Sequence, residues 1–517
     1  MLWVLAKRGL LNPGPPGKIV SQLATLRRWG FSVAGELRAA AERSPDHVAV
    51  IDPEGSHTYA ELWDRSERLA LALRVRHGIG VGGRIGVLAR NHSGMIAAMV
   101  AGCALGAEVV LLNPALSAAA IDAVAHDQRI ELVIADNDLM ELIPGVPALN
   151  EVGVEKLIAD APPGKLTPPS RAGRLIVLTS GTTAAPKGAR RKTPGGLGPL
   201  ASVLDRIPLK VGDRIFVAAP LFHTWGLAAL QVALGLRATL VLQRRFEPLS
   251  TIAALRDLDC QGLIAVPVML QRLLEATPTP GVTPRVVAVS GSALPGGLAT
   301  RFMDAYGDCL YNLYGSTEAS WVSIATPEDM RRDPRTSGRP PLGTTVEIRS
   351  RAGQPLPPGQ IGEIHVRNDM LFEGYTSHRE ATPNAGEALG RDAKNAVSLL
   401  GTGDLGHFDE QGLLYVDGRA DDMIISGGEN VFPRPVEELI GQLPQVREVA
   451  VVGVPDAEFG QRLAAYVVLH PGEHLDPDSV REYVRHYLAR FCVPRDVVFL
   501  RELPRTATGK VIPRLLR

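Results

Sequence analysis

From about residue 45 to 300, short apolar runs alternate with longer segments in which apolar positions recur every three or four residues. The short runs predict strands at Ile85–Leu88, Val109–Leu112, Leu132–Ala135, Leu175–Leu178, Ile215–Ala218, Thr239–Leu242, Leu263–Val266 and Val286–Val289. Several are hydrophobic throughout, the mark of parallel strands covered on both faces. A helix is predicted from Tyr59 to Arg76, where Thr58 and Glu61 form a capping box and Leu62, Leu69 and Leu73 give one apolar stripe. Met95 to Ala107 is too short to span a bilayer and predicts a buried helix, ending at Glu108 and feeding the strand from Val109. Strands alternating with helices give an α/β architecture. After Gly343 the strands shorten, and after Arg419 the pattern changes again. Strands at Val449–Val454 and Ala465–Leu469 and a helix at Ser479–Ala489 predict a small α+β domain over 420–517, behind a large domain over 1–419.

A chain of 517 residues exceeds one compact core, in keeping with that division. Lys plus Arg and Asp plus Glu number 55 each, which excludes a generally basic nucleic-acid surface. Cys103, Cys260, Cys309 and Cys492 lie far apart without a CxxC pair, so buried reduced thiols are expected, not a disulfide frame or a zinc site. The apolar start, Met1 to Ala6, precedes Lys7 and Arg8, the reverse of a signal peptide. The chain therefore reads as cytoplasmic. Its first residues are expected to be solvated or docked on the body, with a peripheral membrane contact through Leu2, Trp3, Leu5, Arg27 and Arg28 as the alternative.

Two glycine-rich segments look like phosphate loops, and one is false. Residues 78–83 fit GxGxxG, but a predicted helix precedes them and a strand follows, the reverse of a dinucleotide-binding turn. Leu178-Thr-Ser-Gly-Thr-Thr-Ala-Ala-Pro-Lys-Gly188 instead follows a predicted buried strand. It packs hydroxyls, glycines and a lysine into one loop, the donors that polyphosphate oxygens need. It is not a Walker A loop, since Pro186 and Gly188 stand where that motif needs Gly and Ser or Thr.

This loop resembles the TSGTTGxPKG loop of the adenylate-forming superfamily: acyl-CoA synthetases, peptide-synthetase adenylation domains and firefly-type luciferases. Ala184 replaces one glycine, at a cost of about 1 kcal/mol if that position needs a positive φ. Further motifs follow in the family's order: Tyr314-Gly-Ser-Thr-Glu318, Thr402-Gly-Asp404, the segment Gly418 to Val431, and Pro504-Arg-Thr-Ala-Thr-Gly-Lys510. The resemblance covers residue 35 to the end. It implies two α/β subdomains plus a small β-barrel, with a mobile C-terminal lid.

The resemblance also implies roles. ATP and a carboxylate repel, so the first step requires charge neutralisation and in-line positioning. Lys187, Thr179, Ser180, Gly181, Thr182 and Thr183 would hold the β- and γ-phosphates, Thr317 the α-phosphate, and Glu318 a Mg²⁺ ion. Gly291, Ser292, Ala293, Asn312 and Tyr314 would line the adenine pocket, Asp404 would take the ribose hydroxyls, and Arg419 would support ribose or phosphate. Lys510 would bridge the α-phosphate and the attacking carboxylate, and its loss would cost about 100-fold or more. Asp421 matches the hinge that brings Ser426, Gly427 and Gly428 to the site for coenzyme A. His223 would gate an acyl pocket with Trp225, Leu227, Val266, Pro267, Gly291 and Gly315 as its lining.

The pattern most resembles fatty acyl-CoA synthetases, with carboxylic acid, ATP and coenzyme A as partners and homodimerisation compatible with it. No acidic group is matched to a substrate α-amine, which disfavours an amino acid. The alternatives are a fatty acyl-AMP ligase that loads a carrier protein and an inactive nucleotide-binding homologue.

Overall fold

A computed structural model describes the chain except residues 13–14, 144, 180–186, 191, 278–280, 377–398, 421, 427–428, 457–459, 507–508 and 517. An eight-stranded sheet forms the centre, in the spatial order Ser323–Ala325, Leu310–Tyr314, Val286–Val289, Gly262–Ala265, Arg214–Val217, Thr239–Val241, Val48–Asp52, Gly55–Thr58. The two edge strands are antiparallel and the six between them parallel. A second sheet runs Ala148–Leu149, Leu132–Ala135, Arg84–Leu88, Glu108–Leu111, Arg174–Thr179, Lys187–Arg190, with only the last strand antiparallel. Interior strands such as Leu132–Ala135, Gly262–Ala265 and Val286–Val289 are buried at every residue, which is why they read as unbroken apolar runs.

The Tyr59–His77 helix has both halves of its capping box, and Gly78 closes it in the left-handed conformation at φ 69°. Residues 78–83 therefore join a helix to the strand Arg84–Leu88. Ser93–Ala104 is the buried helix. Glu108 begins the following strand, where a terminator had been expected, because its carboxylate is paired at 2.8 Å with Arg84 and at 3.1 Å with Arg171.

Behind the two large sheets, Thr345–Arg349, Gly362–Arg367, Leu400–Phe408 and Leu414–Arg419 form an antiparallel sheet of their own. From Ile424 onward a mixed sheet and the helices Pro433–Ile440 and Pro477–Tyr487 enclose two apolar cores drawn only from C-terminal residues. This small unit is tied to the body by side-chain contacts. Arg447 forms a bidentate pair with Glu275 at 2.6 and 2.9 Å, and Arg434 donates to the Val416 carbonyl at 2.8 Å.

Two sequence expectations need correcting. Leu5 is buried beside Val4, so it belongs to the docked side of the N-terminal helix and offers nothing to a membrane. Cys103, Cys260 and Cys309 are buried free thiols, but Cys492 is only half-buried because it lies in a surface turn of the C-terminal unit. Among the described residues, no helix is long and apolar enough to cross a membrane.

Candidate active site

The carboxyl ends of the central strands open onto a cavity of about 170 Å³. Its long wall is the helix Thr224–Leu236, which presents Thr224, Trp225, Ala228, Ala229 and Val232 to the space. The eight helical rises from Thr224 to Val232 give the wall a length of about 12 Å. The far end is closed by Val203, Ile207, Leu209 and Ile215, while the mouth carries Ser290, Gly291, Gly315, Ser316, Thr317 and Val266. No Asp, Glu, Lys or Arg lies among the described lining residues. The cavity is thus a largely apolar tunnel along this helix, with hydroxyls at its entrance.

Local contacts hold that shape. The Trp225 indole donates to the Ala265 carbonyl at 3.0 Å, which fixes the ring against the neighbouring strand. Gly226 is required for the close approach, because a Cβ there would stand 2.1 Å from the Pro220 carbonyl oxygen. The His223 ring lies 4.6 Å from Phe222, and its Nε2 is buried without a hydrogen-bond partner among the described residues. Burial lowers its pKa to about 4, so it is neutral at pH 7.

Leu227 and Pro267 stand outside the cavity. Leu227 and Gln231, four residues apart, share another flank of the helix and face a separate cleft with Cys103, whereas Trp225, Ala228, Ala229 and Val232 share the lining face. Pro267 is buried as the first residue of the helix Pro267–Ala276, a position its fixed φ suits.

Beside the mouth, separate sequence motifs meet. Asp404 and Arg419 are register partners on the antiparallel pair Leu400–Phe408 and Leu414–Arg419, which brings Thr402-Gly-Asp404 and Gly418-Arg419 together. The Tyr314 hydroxyl donates to Asp404 Oδ2 at 2.5 Å, and Arg419 approaches Oδ1 at 3.4 Å. Thr402 Oγ1 accepts from the Asp404 backbone N–H at 3.1 Å. Burial and the Asp404 charge raise the Tyr314 pKa, which keeps the hydroxyl a donor. Gly291 at φ 96° turns the loop after Val286–Val289, and that strand pairs with Leu310–Tyr314 through Val289 and Asn312. Gly291, Ser292 and Ala293 thereby lie at the strand ends near buried Asn312 and half-buried Tyr314.

A second chain of contacts links the phosphate-side residues. Tyr375 donates from its hydroxyl to Glu318 Oε1 at 2.9 Å, and its ring centroid lies 5.9 Å from Lys187 Nζ. Lys187 itself is the register partner of Thr179. The segment at 373–376 is held to the strand Lys187–Arg190 by bonds from Glu373 N–H to the Arg190 carbonyl and Thr376 N–H to the Gly188 carbonyl. Thr317 Oγ1 is 3.1 Å from Thr224 Oγ1, which ties the Tyr314–Glu318 motif to the tunnel helix. Sequence reasoning missed Tyr375 and Thr224. Tyr375 lies outside the quoted motifs, and the one cue was its place in the run Gly374-Tyr375-Thr376.

The Lys510 loop comes from the C-terminal unit. Thr506 N–H donates to the Lys510 carbonyl at 2.8 Å, and Lys510 N–H donates to Thr506 Oγ1 at 3.1 Å. Gly509, at φ 79°, packs so tightly on the body that a Cβ would meet Val268 Cγ1 at 2.7 Å and Val266 Cγ2 at 3.9 Å. Val266 lines the mouth, so Lys510, exposed, is carried to the cavity's edge.

Ser426 ends a short strand of the C-terminal sheet and does not line the cavity. Ser180, Gly181, Thr182, Thr183, Ala184, Asp421, Gly427 and Gly428 lie outside the described residues, as does the side chain of Thr179.

Glu318 Oε2 makes no hydrogen bond to a described residue, so this carboxylate can offer an oxygen to a hard cation. Elsewhere, Glu54, His92 and Glu151 are close enough to share an ion, but Arg244 donates to both carboxylates.

Residues 37–376 match the AMP-binding enzyme family, and residues 435–510 match the AMP-binding enzyme C-terminal domain. The chain is 32% identical over 491 residues to an indoleacetate–CoA ligase of Aromatoleum aromaticum, covering 90% of this chain and 94% of that protein. Its fold is similar to o-succinylbenzoate CoA synthetase from Bacillus subtilis, solved with an acyl-adenylate intermediate. The TM-score is 0.81 and the identity 28%, with 93% of this chain and 97% of that one covered. A fatty acyl CoA synthetase of Mycobacterium tuberculosis is similar at TM-score 0.72 and 26% identity, with coverages of 94% and 98%. The motifs that converge at the tunnel mouth and the matches along both parts of the chain lead to one conclusion: this protein belongs to the AMP-binding enzyme family of adenylate-forming enzymes.

Proposed function

We propose that the chain is an ATP-dependent acid–CoA ligase for an extended, apolar monocarboxylic acid of the fatty-acid type. The observation that carries the substrate class is the uncharged tunnel of about 12 Å along the helix Thr224–Leu236. A straight acyl chain fits its length, and the described lining residues offer no cation to receive a second carboxylate. The named activities of the similar proteins support coenzyme A as acceptor, and three of their acids differ in shape: indoleacetate, o-succinylbenzoate and a fatty acid. An aryl acid is the second reading. Trp225 and Trp321, both lining the tunnel, favour it through ring contacts.

In this reading the carboxylate lies at the mouth, beside Thr317 and the Lys510 loop. Its oxygen attacks the α-phosphorus of ATP, and pyrophosphate leaves with the electron pair of the broken P–O bond. Lys510 neutralises charge between the two anions, while Lys187 and the hydroxyls of Thr179, Ser180, Thr182 and Thr183 hold the departing phosphates. Asp404, oriented by Tyr314 and Arg419, accepts the ribose hydroxyls. Glu318, steered by Tyr375, would hold Mg²⁺, which supplies further neutralisation of phosphate charge when bound. The neutral His223 excludes water from the acyl carbonyl without adding a charge. The C-terminal unit then turns about Asp421, withdrawing Lys510 and bringing Ser426, Gly427 and Gly428 to the mouth. The thiolate sulfur of coenzyme A attacks the acyl carbon, and AMP leaves.

Acid-dependent pyrophosphate release tests the first step, and mass detection of thioester with and without coenzyme A tests the second. Adenylate that passes to a carrier protein but not to coenzyme A overturns the choice of acceptor. ATP binding without any acid-dependent product overturns the enzyme.

A further inference from the structure

Lys plus Arg and Asp plus Glu balance over the whole chain, yet residues 1–35 hold Lys7, Arg8, Lys18, Arg27 and Arg28 and no acidic residue. Two helices precede the segment that matches the family: Leu2–Lys7 and Pro16–Trp29. Each is fastened to the body by one side. Val4 and Leu5 are buried, and Arg8 donates to the Leu204 carbonyl at 3.0 Å. On the second helix Trp29 packs edge-on against Trp63 at 5.3 Å, and Ser21 donates to Glu42 at 3.1 Å.

The outward sides are apolar and cationic together. Leu2 and Trp3 are 65% and 68% exposed, and Val20 and Leu23 are 67% and 58% exposed. Lys7 Nζ stands 4.8 Å from the Trp3 ring centroid, and Lys18, Arg27 and Arg28 are exposed around Val20 and Leu23. Leu11, 49% exposed, lies between the helices. Large apolar side chains that meet water, ringed by one sign of charge, are costly on a solvated face. They match an anionic lipid surface, where apolar groups sink to the acyl boundary and cations meet the headgroups.

We infer that the helices Leu2–Lys7 and Pro16–Trp29 form a peripheral docking surface for an anionic lipid bilayer. Leu2, Trp3, Val20 and Leu23 enter the interface, and Lys7, Lys18, Arg27 and Arg28 meet the headgroups. The inference rests on these two helices alone and stands whether or not the ligase reading does.

The test is sedimentation of the full chain with phosphatidylcholine vesicles and with vesicles containing about one-third phosphatidylglycerol. Binding is expected only to the anionic vesicles and should weaken steeply as salt rises. The double variant R27Q/R28Q should lose about 30-fold in vesicle affinity. The double variant L2S/W3S should lose about tenfold or more at unchanged salt sensitivity. All four side chains are exposed, so the melting temperature should not move, and that control excludes unfolding. Failure of the unaltered chain to bind anionic vesicles at low salt would overturn the inference. So would binding that both double variants retain in full, since the contact would then lie elsewhere.

Discussion

The nucleotide rim and the apolar tunnel share one mouth but are built on opposite principles. The rim works through a few polar atoms, and each is held by another: Tyr314 and Arg419 on Asp404, Tyr375 on Glu318, Thr224 beside Thr317. The tunnel works through shape, with walls drawn from residues as far apart in the chain as Val203 and Trp321 and with no charge among the described lining residues. Changing one atom at the rim removes a directional bond to a charged group, whereas changing one tunnel residue alters how much acid fits. Chemistry is thus concentrated in the first region and selectivity distributed over the second.

That contrast is most exposed at Lys510. Lys510→Ala should reduce adenylate formation by about 100-fold or more while leaving the binding of acid nearly unchanged, as single-turnover assays with acid titration can read. An equal loss in acid binding would show that rim and tunnel are not separable. Filling the tunnel sharpens the comparison from the other side. Ala229→Trp should leave turnover of short acids intact and cut kcat/KM for longer acids by about tenfold or more, measured over a homologous series. A uniform loss at all lengths would place the acid elsewhere.

A positioning role gives a smaller effect. Tyr314→Phe removes the donor to Asp404 and should raise the KM for ATP by about tenfold, with the acid preference unchanged. A different kind of effect, on stability and not on turnover, lies in pH. His223 has a pKa of about 4 in the fold against 6.5 in its unperturbed form, so the unfolded chain binds the extra proton between those values. Its contribution to stability is full above pH 6.5 and is lost progressively down to pH 4. Melting temperatures should therefore fall less over that range in His223→Gln than in the unaltered chain.

The same contrast explains what was legible beforehand. The rim could be read because a carboxylate, a hydroxyl or a lysine cannot be exchanged for another group, so motifs keep residue type and spacing. Asp404 and Arg419 are 15 positions apart in the chain, yet each motif carried its own signature. Tyr375 escaped because its role depends on pairing beside the strand Lys187–Arg190, which no local pattern announces. The strands were readable because both faces are buried, and their ends shifted by a residue or so where polar neighbours join the ladder, as at Glu108. Tunnel residues such as Val203, Leu209 and Val232 look like any core side chain, and only the fold separates them from Leu227. The two N-terminal helices were hidden for another reason, since much of their apolar surface faces outward and breaks the usual inward pattern.

The central claim is that one protein couples this rim to this tunnel to make a thioester from an extended apolar acid. The most direct test is thioester yield, read by mass, with ATP, Mg²⁺ and coenzyme A across straight-chain acids of increasing length and arylacetic acids of matched hydrophobicity. The account predicts AMP and acyl-CoA in equal amounts, rising with chain length to a sharp limit near the length of the tunnel. Preference for dicarboxylic or amino acids, or adenylate that never becomes a coenzyme A thioester, would contradict it.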